Sequence, residues 1–103
     1  MAEANPEYFI LKLYITGLTE RSQAAIDTLK KLCEAELQGR FELEIIDVLE
    51  NPRLAENEKI LATPTLIREL PPPMRRIIGD LSDTDKVLLG LDLVPRGPVS
   101  TAN

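Results

Sequence analysis

Few residues in this chain are equipped for chemistry. It has no histidine and one cysteine, Cys33, which removes the usual general bases near neutral pH and the grouped ligands a zinc site needs. Cys33 falls on the apolar face of a predicted helix, where a cysteine acts as a small buried hydrophobe. The carboxylates Glu56, Glu58, Asp83 and Asp85 have no spacing that sets them as an acid and base pair, and such residues ordinarily cover solvated faces at helix starts. No catalytic residue, metal or cofactor is therefore expected. Lys59, Arg75 and Arg76 stand out as cations in a chain of net charge -5. They suit ordinary surface solubility, or a patch that orients an acidic partner. A nucleic-acid backbone is a poor ligand for so acidic a chain.

Proline and glycine carry the second signal. In Ile60-Leu61-Ala62-Thr63-Pro64-Thr65-Leu66-Ile67 an X-Pro bond stands where a helix gives way to a buried strand, and X-Pro is the one peptide bond that readily adopts cis. Downstream, Val87-Leu88-Leu89-Gly90-Leu91-Asp92-Leu93-Val94 fits two patterns. Read as a strand, Val87, Leu89, Leu91 and Leu93 line one face. Read as a helix from Ser82, Val87, Leu88 and Leu91 turn inward, with Gly90 in its interior at about 1 kcal/mol relative to Ala. Two levels of specification in conflict mark a switch or marginal stability.

The elements that position these residues follow from periodicity. Tyr8 to Ile15 is an almost unbroken apolar run, which predicts a strand buried on both faces. A helix from about Ser22 to Gln38, capped by Thr19 or Ser22, carries Ile26, Leu29, Leu32, Cys33 and Leu37 on one face, and Gly39 ends it in a left-handed conformation. Phe41, Leu43 and Ile45 alternate with Glu42 and Glu44, and the strand continues to Leu49, its acidic side an exposed edge. Asn51-Pro52 opens a short helix reaching about Ile60. Leu66 to Leu70 is a third strand, Pro71-Pro72-Pro73 breaks it, and Arg75 to Ile78 is a fourth. Ser82 with Asp85 resembles a capping box for a last helix.

At 103 residues, 44% hydrophobic and 28% charged, the chain makes one domain over residues 8–94, between a flexible start at 1–7 and a disordered tail at 95–103. No apolar stretch reaches the length of a membrane span, and the acidic N-terminus lacks a signal-peptide pattern, so a cytoplasmic protein is expected. The order βαβαββα is that of the α/β thioredoxin-like fold, with Pro64 at its cis-proline position. The turn that carries Cys-x-x-Cys in that fold reads Gly17-Leu18-Thr19-Glu20-Arg21-Ser22 here, which leaves no nucleophile for thiol–disulfide exchange.

Leu11-Lys12-Leu13-Tyr14, Ile46-Asp47-Val48-Leu49-Glu50-Asn51-Pro52, Ile60-Leu61-Ala62-Thr63-Pro64-Thr65 and Arg75-Arg76-Ile77-Ile78-Gly79-Asp80-Leu81-Ser82 closely resemble the KaiB family of small circadian clock proteins. The resemblance spans roughly Phe9 to Leu93. It implies a non-enzymatic clock or timer regulator that binds a KaiC-type hexameric ATPase. It also implies slow exchange between a ground-state fold, βαββααβ, assembled as a homo-oligomer (dimer or tetramer), and a thioredoxin-like monomer that binds. By similarity, Lys59, Arg75 and Arg76 face the ATPase, while Pro64, Pro71, Pro72, Pro73, Gly90 and Asp92 belong to the fold switch. Gly90→Ala with Asp92→Arg is expected to favour the thioredoxin-like form. KaiA-like and histidine-kinase partners rank behind. Glu42 and Glu44 stand at the KaiA-receiving edge, where family members carry a small residue and a Lys, and their added negative charge weighs against KaiA. Pro95 replaces a family Tyr, which shortens or weakens the ground-state strand. The reading from another class is a redox-inactive thioredoxin-like adaptor, for example in stress response.

Overall fold

The computed structural model describes residues 8–79, 81–91 and 93. The proposed termini at 1–7 and 95–103, and the switch residue Asp92, lie outside them. Strand β1 (Phe9–Ile15), helix α1 (Glu20–Glu36), β2 (Phe41–Asp47), α2 (Pro52–Asn57), β3 (Thr65–Leu70), β4 (Arg75–Ile78) and α3 (Thr84–Gly90) follow in that order. The strands form one sheet ordered β2-β1-β3-β4. β1 pairs in parallel with β2 and antiparallel with β3, and β3 pairs antiparallel with β4.

The principal core lies between one sheet face and helices α1 and α3. Phe9, Leu11, Leu13 and Ile15 of β1 and Leu66 of β3 meet Ile26, Leu29, Leu32 and Cys33 of α1 and Val87, Leu88 and Leu91 at α3. A smaller cluster of Tyr14, Ile46 and Ile67, with Val48 and Ile60, occupies the other face. That second face is only partly covered. The expectation that β1 is buried on both sides therefore fails at Ile10 and Lys12, which are half-buried. The alternation of the strand puts Lys12 on the open face, where its Nζ pairs with Glu69 at 3.3 Å, and its aliphatic stem reads as part of an apolar run.

Boundaries shift where side chains intervene. Thr19 caps α1, its hydroxyl accepting from the Ser22 amide at 3.1 Å. At the other end Gln38 shares the left-handed region with Gly39, at φ 47° and 85°. β2 stops at Asp47 because its Oδ1 accepts from the amides of Gly17 (3.2 Å) and Leu49 (2.9 Å), which turns the chain. Helix α2 ends before Ile60 because Lys59 adopts φ 55°. The Lys59 and Ile60 amides then bond back to the carbonyls of Glu56 and Ala55, a left-handed helix stop that glycine normally fills. Asp83, not Ser82, caps α3, accepting from the Lys86 amide at 3.3 Å.

Candidate functional site

The turn after β1 is where a thioredoxin-like fold places its nucleophile, at the positive end of α1. Here Thr16 and Thr63 share a hydroxyl–hydroxyl hydrogen bond of 2.7 Å across that end of the sheet. The Thr63–Pro64 bond beside it is cis. Cys33 lies elsewhere, fully buried on α1, and burial, with a smaller contribution from Glu34, pushes its thiol up to about 12. A thiol held protonated to that degree is a poor nucleophile near neutral pH.

The predicted cations separate. Arg76 and Ile67 are register partners, so Arg76 points to the face that carries Lys12 and Tyr14. Its Nη1 donates to the Lys59 carbonyl at 3.4 Å. Arg75 partners Arg68 and points to the helix side. The structure thus sets the Arg76 guanidinium against the backbone of Lys59 and sends Arg75 to the opposite face. Ile78, exposed on the strand side shared with Arg76, and Leu61, 94% exposed just beyond Lys59, set apolar surface beside the two cations. The result is a basic and apolar patch along the β4 edge.

At the opposite edge stand Glu42 and Glu44. The register Glu44–Lys12–Ile67–Arg76 crosses the sheet on one face, so that face runs from acidic to basic over three strand spacings, about 14 Å. Lys12 titrates above its ordinary value. Burial alone lowers it, and the bond and charge of Glu69, with the nearby Tyr14 and Glu44, overcome that. Burial, then the charge of Glu58, raises Tyr14.

The prolines and Gly90 gather near one buried residue that the sequence reading passed over. Arg68 is 3% exposed. Its Nη1 donates to the Leu91 carbonyl at 2.7 Å and its Nη2 to the Pro73 carbonyl at 2.8 Å. One guanidinium thereby ties the end of α3 to the proline turn, in which the bonds before Pro71 and Pro73 are cis. A signal was present: strand alternation sets Arg68 on the same face as Leu66, and a charge at a core-facing position must find partners.

Gly90 is the last residue of α3, not an interior one. A Cβ there would stand 2.5 Å from Ile77 Cδ1 and 2.7 Å from Ile77 Cγ1. In this fold α3 approaches β4 so closely at Gly90 that any Cβ there requires the Ile77 side chain to shift. The premise of an interior glycine, on which Gly90→Ala was expected to favour the thioredoxin-like form, is corrected accordingly.

Against known proteins, residues 12–93 match the family described as "KaiB domain". The "Circadian clock protein KaiB3" of Synechocystis sp. is 59% identical over 88 residues, 85% of this chain and 86% of that protein. The "Circadian clock oscillator protein KaiB" of a Synechococcus species is 62% identical over 86 residues, 84% of each chain. Among solved structures, the N-terminal domain of Synechococcus elongatus SasA superposes with a TM-score of 0.68 at 24% identity, covering 89% of this chain and 90% of that one. Mitochondrial thioredoxin 3 of Saccharomyces cerevisiae gives 0.67 at 19%, covering 82% and 76%. At these identities the two superpositions establish the thioredoxin-like fold alone.

Proposed function

The chain belongs to the KaiB family, and from that premise we propose that it is a non-enzymatic circadian clock or timer regulator that docks on a KaiC-type hexameric ATPase in its thioredoxin-like form. The observation that carries the docking surface is the Arg76 guanidinium bonded at 3.4 Å to the Lys59 backbone carbonyl, beside exposed Ile78 and Leu61. In a chain of net charge -5 this patch is the place where an acidic rim on a partner gains orientation and association rate. Arg75, on the other face, contributes less.

A slow fold switch is part of the proposal. Helix α3 leaves Leu89 64% exposed, although the strand pattern of the same segment would line Leu89 up with Val87, Leu91 and Leu93. Pro64, Pro71, Pro72, Pro73 and Gly90 sit at the joints of the segments that exchange, and Asp92 joins them by resemblance. The ground state is a dimer or tetramer in this reading. The proposal does not extend to KaiA, given Glu42 and Glu44 at the β2 edge.

The test mixes the purified chain with a KaiC-type hexamer and ATP, and follows co-elution from minutes to hours. Slow appearance of a complex is expected. Rapid appearance keeps the partner and removes the switch, and no complex with an active hexamer moves the chain to the adaptor reading. Lys59→Asn removes the charge while leaving a residue that tolerates the left-handed backbone, and Arg76→Glu reverses the second cation. Each is expected to weaken the complex more than Arg75→Glu does.

A further inference from the structure

Strand β4 ends one side of the sheet, and the direction of its backbone groups follows from the pairing of the other three strands. In a strand, each residue turns its amide and carbonyl to the same side, and sides alternate. The Phe9 amide donates to the Arg40 carbonyl and the Ile15 carbonyl accepts from the Val48 amide. Odd-numbered residues of β1 therefore bond to β2, and Lys12 and Tyr14 bond to β3, where their register partners are Ile67 and Thr65. Leu66 and Arg68 of β3 are left to turn toward β4, where they meet Ile77 and Arg75. The amides and carbonyls of Arg76 and Ile78 thus face outward, and among the described residues no strand lies beyond them in the sheet. The window is short. The prolines at 71–73 ahead of it have no amide to offer, and Gly79, at φ 123°, turns the chain away after Ile78.

The side chains of the same two residues share one face and are exposed. Arg76 Nη1 reaches the Lys59 carbonyl at 3.4 Å, which adds the exposed loop residues Lys59 and Leu61 to this border. A strand laid along β4 would bond to the outward groups of Arg76 and Ile78 and would set every second side chain on this face. Opposite Arg76 a carboxylate is favoured, and the charge of Lys59 acts in the same sense. Opposite Ile78, 57% exposed, an apolar side chain covers surface that water now meets. A second copy of this chain fits poorly, because paired β4 strands would bring the Arg75 and Arg76 side chains of the two copies together, and charges on an edge guard it against its own kind.

We propose that the β4 edge takes up an extended segment of its protein partner as an added strand, a segment in which an acidic residue and an apolar residue alternate on one face. The inference rests on the docking reading of the Lys59 and Arg76 patch and supplies the way the partner is held. Main-chain bonds at Arg76 and Ile78 give the pairing, and Arg76 with Lys59 reads the charge.

The test titrates the isotope-labelled chain with the peptide Thr-Val-Thr-Glu-Thr-Val-Thr-Glu-Thr, its ends blocked, and with the counterpart carrying Lys for Glu, following backbone amides. Saturable shifts largest at Arg76 and Ile78 are expected with the glutamate peptide, with affinity about threefold or more above that for the lysine peptide. Arg76→Glu is expected to invert that preference. Ile78→Pro removes an outward donor without touching the β3 ladder, whereas Ile78→Thr keeps the donor and removes apolar carbons. Loss of binding in the first and weaker binding in the second are expected, with the Val87 and Leu88 resonances in place in both. Equal response to both peptides, a response centred on β2, equal loss in the two Ile78 variants, or edge shifts that follow the chain's own concentration without peptide would overturn the assignment. Co-elution with the KaiC-type hexamer separates this inference from the reading it rests on. A complex that forms equally with the parent and with Ile78→Pro keeps the partner and removes the added strand. No complex with an active hexamer, beside the expected peptide response, removes the ATPase and leaves the edge as an acceptor of acidic segments.

Discussion

Replacing Arg68 by Met tests whether this guanidinium holds the C-terminal half in place. Charged hydrogen bonds such as its 2.7 Å and 2.8 Å contacts to Leu91 and Pro73 contribute about 1.5–3 kcal/mol each. The Pro73 end lies on an exposed residue, where water replaces the lost donor. The Leu91 carbonyl belongs to a fully buried residue, and leaving it unpaired costs about 1–3 kcal/mol. Methionine preserves most of the packing and removes the cost of burying a charge, which offsets part of the loss. The net is about 2–3 kcal/mol for Arg68→Met, a large share of the roughly 5–15 kcal/mol of a small domain. At about 4–8 °C per kcal/mol, the melting temperature falls by roughly 10–20 °C. Arg68→Lys, with one ammonium for two divergent acceptors, is expected to lose about half as much. Urea denaturation followed by circular dichroism gives the stability, and hydrogen exchange at Val87 and Leu91 reports α3 directly. A midpoint within about 0.5 kcal/mol of the parent, the range of an ordinary surface change, together with unchanged α3 protection, would refute the clamp.

Two further outcomes follow from the packing. Gly90→Ala and Ile77→Ala are expected to couple by about 1 kcal/mol in a double-mutant cycle, the alanine at 90 being better accepted once Ile77 Cδ1, 2.5 Å from its Cβ, is gone; independent effects would show that α3 does not approach β4 so closely. Burial raises Cys33 from 9.0 to about 12 and also raises Tyr14 above 10.0. Both groups keep their protons in the folded chain at pH values where the unfolded chain has lost them, so stability is full below about pH 9 and declines as pH rises toward 12. The urea midpoint should therefore fall from pH 9 to 11, more shallowly in Cys33→Ala, and a flat profile in the parent would contradict the burial of both groups.

Where local periodicity was unambiguous, the sequence alone determined the structure. The 3.6-residue stripe from Ile26 to Leu37 sets α1 on the sheet, and the proline break ahead of Arg75 leaves β4 to start at the predicted residue. The order of elements was enough for the thioredoxin-like fold, and four short motifs were enough for the family. The same chain was silent wherever a residue's role depends on what lies across the fold. Whether 87–91 coils or extends is not decided by its own pattern; burial of Val87, Leu88 and Leu91 against the sheet decides it. Lys59, Arg75 and Arg76 read as one cluster, yet strand alternation and pairing send Arg75 to the far face and draw Arg76 to Lys59. Arg68 looked like an ordinary charge until two carbonyls, one 23 residues away in sequence, closed around it. Periodicity and capping act through neighbours in the chain and can be read there, whereas the partner of a buried donor, or the clearance beside a glycine, exists only once distant segments have packed.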